Sequence, residues 1–177
     1  VVGLAFKDLI EGPLRSLWVV AGGLIGWSLV MWLADRYSAR RSEPRCEQTM
    51  TVTDALIIGL WQCISVVPGV SRSGATISGG LLRGIDRVTA TRWSFFLGIP
   101  TLLGAGILEA VTQAPQIAST VGWGSTGIGI AVSFVVAYAS IAWLLTFVQS
   151  NTFTAFVIYR LLAGGTIIAL LATGLIS

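Results

Sequence analysis

Residues 16–34, SLWVVAGGLIGWSLVMWLA, run for nineteen positions without a charged side chain. A helix that crosses a bilayer needs about 20 largely apolar residues, because each backbone N–H and C=O must find its partner inside the segment. Further long apolar runs occupy 89–110, which carries Arg92 and Glu109, 125–149, which is uncharged, and 154–176, which carries Arg160. The chain is 54% hydrophobic and only 11% charged, against about 25% charged residues in soluble domains. Such a composition cannot cover a water-facing surface. The runs are long and continuous rather than short and alternating, which argues against a membrane barrel. The expected fold is all-α, a polytopic membrane helical bundle forming a single transmembrane domain over residues 1–177.

Between the first two runs the pattern changes. A polar loop is expected over about 35–53, with Thr53 or Asp54 as the next N-cap. The apolar stretch at 55–67 is too short to span and stops at Pro68-Gly69. A second short stretch, 76–84, ends before Asp86. Two half-length segments around a Pro/Gly break predict a re-entrant helix–loop–helix over about 54–84; one broken spanning helix is the alternative. Gly22-x-x-x-Gly26 offers the first span a smooth face for close packing. Arg outnumbers Lys ten to one. Arg36, Arg40, Arg41, Arg45, Arg83 and Arg87 fall on one side, and Lys7 and Arg15 on the other. The positive-inside rule puts the arginine-rich side in the cytoplasm, so the re-entrant pair enters from there with its tip near mid-membrane.

That tip reads Pro68-Gly69-Val70-Ser71-Arg72-Ser73-Gly74-Ala75-Thr76. A guanidinium in the bilayer interior costs about 2.5–3.5 kcal/mol on insertion scales and persists where it has a partner or a task. Its planar fork matches two phosphate oxygens. Ser71, Ser73 and Thr76 add hydroxyls, while Gly69 and Gly74 let backbone N–H groups approach an anion. With Thr76 placed at the start of the second half-helix, the positive helix end would point at the same spot. This is the pattern of an oxyanion cradle. A structural loop and an ion gate are the other readings of the same residues.

The segment from Gln62 through PGVSRSGATISGG, followed by SFFLGIP at 94–100 and Phe156-Val157-Ile158-Tyr159-Arg160, resembles the undecaprenyl-diphosphate phosphatase family, the bacitracin-resistance phosphatases. The resemblance covers nearly the whole chain and is strongest over 55–109. It implies hydrolysis of undecaprenyl diphosphate to the monophosphate and inorganic phosphate in the bacterial cytoplasmic (inner) membrane, which recycles the lipid carrier for cell-wall synthesis. It also implies two inverted repeats, of which this chain would hold one and a fraction. Arg72 then inherits pyrophosphate binding, Ser71 and Thr76 catalytic or supporting roles, and Ser73, Gly69 and Gly74 the phosphate cradle. A divalent cation, Mg or Ca, is implied as cofactor. The family's N-terminal half carries a Glu-rich motif, then Pro, Ser-Ser and His, and nothing here matches it. The expectation is therefore a C-terminal portion, with the metal ligands and the acid/base groups in missing sequence and no metal site in this chain.

Two rival functions stay open: a membrane anion or lipid-phosphate transporter or flippase, and a non-catalytic fragment. The partners expected are a polyprenyl diphosphate lipid and the bilayer, with no nucleic acid and with a homo-oligomer left open. Cys46 and Cys63 fit no metal or disulfide pattern. Glu109 reads as an interfacial acid. Arg160 would pair with Asn151 or a backbone carbonyl, or hold an anionic lipid. Gln62 suits either the site or a neighbouring helix. Trp18, Trp32, Trp61, Trp93 and Trp123 suit an interfacial belt.

Overall fold

A computed structural model describes Gly12, Leu14 and residues 16–176. Lys7 and Arg15, which carry the opposite-side charge in the orientation argument, lie outside the described residues. Seven α-helices occur there: α1 (Leu17–Ala39), α2 (Val52–Ile64), α3 (Arg72–Leu82), α4 (Arg87–Thr112), α5 (Ala114–Thr120), α6 (Trp123–Ser150) and α7 (Thr154–Ala172). The all-α polytopic membrane bundle is borne out, because α1, α4, α6 and α7 are each long and apolar enough to cross a membrane.

α2 and α3 have 13 and 11 residues. At about 1.5 Å rise per residue neither covers the ~30 Å hydrocarbon core. They fold back on each other. Asp54, in the first turn of α2, accepts a hydrogen bond from Arg83 Nε, just past the end of α3, at 2.8 Å. The two outer ends therefore meet, and residues 65–71 form the tip. α3 is the hub and touches α1, α2 and α4, while α1 also lies along α7. The core gathers Ala34, Ile58, Ile77, Leu81, Ile85, Ala90, Val148 and Phe153.

Several boundaries differ from the expectations. The first helix continues through Ala39, because Asp35 is buried and its carboxylate takes Arg87 Nε at 2.5 Å and the Phe153 N–H at 3.2 Å. The cap of α2 is Thr51, not Thr53 or Asp54. Asp54 is the reciprocal partner of a capping box, receiving the Thr51 N–H. α3 starts at Arg72, not Thr76, since Ser71 Oγ accepts the Gly74 N–H and nucleates the helix four residues earlier. Gly22 and Gly26 face open space, and it is Gly23 that packs: a Cβ there would lie 2.4 Å from the Pro68 carbonyl oxygen. α4 passes through Pro100 unbroken. The stretch between the runs at 89–110 and 125–149 contains α5, and α7 ends at Ala172, short of the expected 176.

Candidate functional site at the hairpin tip

The tip is held by backbone contacts on one side. Gly69 has φ +88°, and a Cβ there would fall 2.2 Å from the Val20 carbonyl oxygen, so glycine alone lets the loop touch α1. The Gly69 carbonyl accepts Arg160 Nη2 at 2.7 Å. Arg160 is 8% exposed, and its Nε donates to Ser28 Oγ at 3.2 Å. Arg160 therefore ties α7, α1 and the tip together through carbonyls and a hydroxyl. Asn151 is elsewhere, donating to the Phe147 carbonyl.

Beyond Ser71 the first turn of α3 exposes its donors. The Gly74 N–H is taken by Ser71 Oγ and the Ala75 N–H by the Ser71 carbonyl. The N–H groups of Arg72 and Ser73 have no partner among the described residues. A helix N-terminus with open N–H groups carries a partial positive charge of about half a unit. Ser71, Ser73, Gly74 and Arg160 line a cavity of about 260 Å³ at this point. The rest of its lining is apolar and aromatic, with Met31, Ile77, Leu144, Phe95, Phe153 and Phe156, together with Tyr159.

Arg72 leaves the tip toward α4. A Cβ on Gly98 would lie only 1.7 Å from Arg72 Nη1, so the guanidinium rests directly on the bare backbone there. One turn deeper, Thr76 Oγ1 and Ser94 Oγ share a hydrogen bond of 2.6 Å, both residues being buried. These two contacts run antiparallel along α3 and α4 and place Arg72 close to the middle of α4. Arg72 Nη1 is buried with no hydrogen-bond partner among the described residues. Leaving such a donor unmet costs about 1–3 kcal/mol, more for a charged group.

The candidates thus separate by side. Ser71, Ser73 and Gly74 face the cavity, Arg72 lies on the α4 side of the same helix end, Gly69 is turned to α1, and Thr76 is packed behind the first turn. Gln62 meets the tip only through its backbone carbonyl, which accepts Ser65 Oγ at 2.7 Å, and its Oε1 is buried without a partner among the described residues. Glu109 is exposed near the end of α4. Gly98 and Ser94 were missed as supports. The only sequence signal for Gly98 was a glycine within the SFFLGIP segment, and its partner is distant in sequence. No group of three or more His, Cys, Asp or Glu that could hold a metal occurs among the described residues. The described residues at the tip and around its cavity thus offer no carboxylate ligand to a divalent cation.

At the arginine-rich end the charges are mostly neutralised. Asp54 is fully buried and receives Arg45 Nη2 at 2.7 Å and Arg83 Nε at 2.8 Å. It lies outside the four spans. The hydrogen bond from Arg45, followed by those from Arg83 and Thr51, holds its carboxyl well below the usual carboxylate range despite burial.

The chain matches the family model described as bacitracin resistance protein BacA over residues 1–166. It is 52% identical over 176 residues to undecaprenyl-diphosphatase 3 of Frankia casuarinae, covering 99% of this chain and 62% of the relative. It is 51% identical over 184 residues to undecaprenyl-diphosphatase of Cutibacterium acnes, covering 100% and 64%. It is 50% identical over 178 residues to undecaprenyl-diphosphatase 1 of Streptomyces avermitilis, covering 100% and 62%. The chain thus spans a little over three fifths of the length of these curated relatives.

Proposed function

Since this chain belongs to the bacitracin resistance protein BacA family, we propose that it serves the hydrolysis of undecaprenyl diphosphate to undecaprenyl phosphate and inorganic phosphate. In this reading it recycles the cell-wall lipid carrier in the bacterial cytoplasmic membrane and confers bacitracin resistance. The observation that carries the reading is the set of unmet donors contributed by one helix end: the open N–H groups of Arg72 and Ser73, and Arg72 Nη1, buried without an acceptor on the α4 side. An anion with several oxygens is what such a set lacks. A diphosphate supplies them, and the curated relatives carry the name of a diphosphatase.

In this reading the diphosphate sits on the N-terminus of α3. The two open N–H groups and the Ser71 and Ser73 hydroxyls bind oxygens from the cavity side, and Arg72 from the α4 side. As water adds to the terminal phosphorus and the P–O–P bond breaks, negative charge builds on the bridging oxygen. Donors already aimed there stabilise it without reorganising. Arg72 and Ser71 touch the substrate, whereas Thr76 supports them by locking the first turn of α3 to Ser94. The wall of Phe95, Phe153 and Phe156 suits the first isoprene units of the tail. A divalent cation would take its carboxylate ligands from outside this chain, and no step is assigned to it. The arginine-rich end faces the cytoplasm.

Two measurements test this. Binding of undecaprenyl diphosphate to the chain in nanodiscs should weaken strongly in Arg72→Ala. Phosphate release, followed on the protein at the length of its relatives, should fall about 100-fold or more in the same variant, as for loss of one preorganised transition-state donor. Equal release by parent and Arg72→Ala would refute the role of Arg72. Translocation of the lipid without release would favour the transporter reading.

A further inference from the structure

The arginines at the cytoplasmic end divide into two groups. Arg45 and Arg83 are paired with Asp54, Arg87 with Asp35, and Arg92 with Glu47. Arg36, Arg40 and Arg41 have no acidic partner among the described residues; Arg41 is taken up by Tyr37, donating to its hydroxyl at 2.8 Å, which leaves Arg36 and Arg40. Arg36 in the last turn of α1 and Arg40 at its C-cap are four positions apart and line the same cavity. Trp32, one turn earlier on α1, holds the Arg36 guanidinium over its ring at 5.1 Å. Trp32, Leu33, Arg36, Tyr37, Arg40 and Leu82 line a cavity of about 360 Å³. Its lining thus joins two guanidinium-bearing residues to the apolar side chains Trp32, Leu33 and Leu82.

We infer that this cavity is a binding site for the headgroup of an anionic glycerophospholipid from the cytoplasmic leaflet. The charge is complementary to a phosphodiester, and both guanidiniums keep donors available for its oxygens. Stacking on Trp32 holds Arg36 in place before the lipid arrives, which lowers the ordering cost. Trp32 and Leu33 belong to the apolar span that precedes the two arginines, so a ligand with both an anionic head and an apolar body is better matched than a soluble anion. A positive-inside residue needs only to be charged and near the membrane edge. It needs neither a shared cavity nor an aromatic seat. This site is independent of the diphosphate reading, because it lies at the other end of α1 from the hairpin tip.

The test is native mass spectrometry of the full chain released from nanodiscs. These contain equal amounts of phosphatidylglycerol and phosphatidylcholine with matched acyl chains. The parent should retain phosphatidylglycerol in preference. Arg36→Ala/Arg40→Ala should weaken that retention about ten-fold or more, given roughly ten-fold per two neutralised surface charges at the least. Trp32→Leu keeps every charge and the insertion signal, and it should weaken retention by a smaller factor. Equal retention of the two lipids by the parent overturns the site. So does parental retention by Trp32→Leu and the double variant alike. Displacement of phosphatidylglycerol by millimolar inorganic phosphate would assign the cavity to a soluble anion and overturn the lipid assignment.

Discussion

Gly98 is the residue on which the placement of Arg72 depends. A methyl group there would overlap Arg72 Nη1, since the ideal Cβ position is 1.7 Å from it. Gly98→Ala should therefore displace the guanidinium and lower undecaprenyl diphosphate binding to the level of Arg72→Ala. Its thermal midpoint should change little, because alanine raises helix propensity by about 1 kcal/mol over glycine. Unchanged lipid binding in Gly98→Ala would show that Arg72 acts from another position. Thr76 offers a second test at this scale. Thr76→Val leaves the buried Ser94 hydroxyl without its 2.6 Å partner, and should cost about 1–3 kcal/mol in unfolding free energy. Ser94→Ala added to it should cost less than the two single changes summed, because the orphaned hydroxyl is then gone. Arg72 stands out in the sequence because a charge amid apolar residues is expensive. Gly98 does not, because a glycine's value lies in what approaches it.

The hairpin of α2 and α3 is an element whose closure rests on one carboxylate. Asp54 is fully buried and joins Arg45, Arg83 and the Thr51 cap. Its folded pKa is depressed, so the stability it contributes is present in full above the unfolded value of about 3.9. That contribution fades as pH falls below this value toward the folded pKa. Asp54→Asn should lower the thermal midpoint at pH 7, and the gap between variant and parent should narrow below pH ~4. A gap that is constant with pH would mean that the ion pairs add nothing beyond the amide's hydrogen bonds. The presence of two half-helices was readable from length and from Pro68-Gly69. Their start points were not. Thr51, Thr53, Asp54, Ser71 and Thr76 are all plausible caps by residue type, and only the geometry of Ser71 Oγ on the Gly74 N–H selects one at the tip.

At the scale of the whole molecule, the spans agree in direction with the charge pattern. The end of α1, both outer ends of the hairpin, the start of α4 and the α6–α7 turn collect at one end, joined by Asp35 and Asp54. Cys46 is exposed in that end's loop and Cys63 is partly buried on α2, which gives a natural probe of orientation. In a Cys63→Ser background, a membrane-impermeant thiol reagent should modify Cys46 only after cells are permeabilised. Modification in intact cells would invert the proposed orientation. No residue in the most apolar window of α6 is buried, and the helix carries no charged side chain.

By itself the sequence determined the class of fold, the membrane as solvent, the broken segment and the residue types at its tip. Those properties follow from hydropathy and local chain chemistry, which act within a few turns. Tertiary structure decided which of those residues point where. It turned Gly69 against α1, packed Thr76 behind α3, rested Arg72 on Gly98, and enlisted Arg160 from near the far end of the chain to hold the tip. Each of these depends on close contact between helices whose residues are tens of positions apart. The spacing of residues along a chain does not encode such contacts.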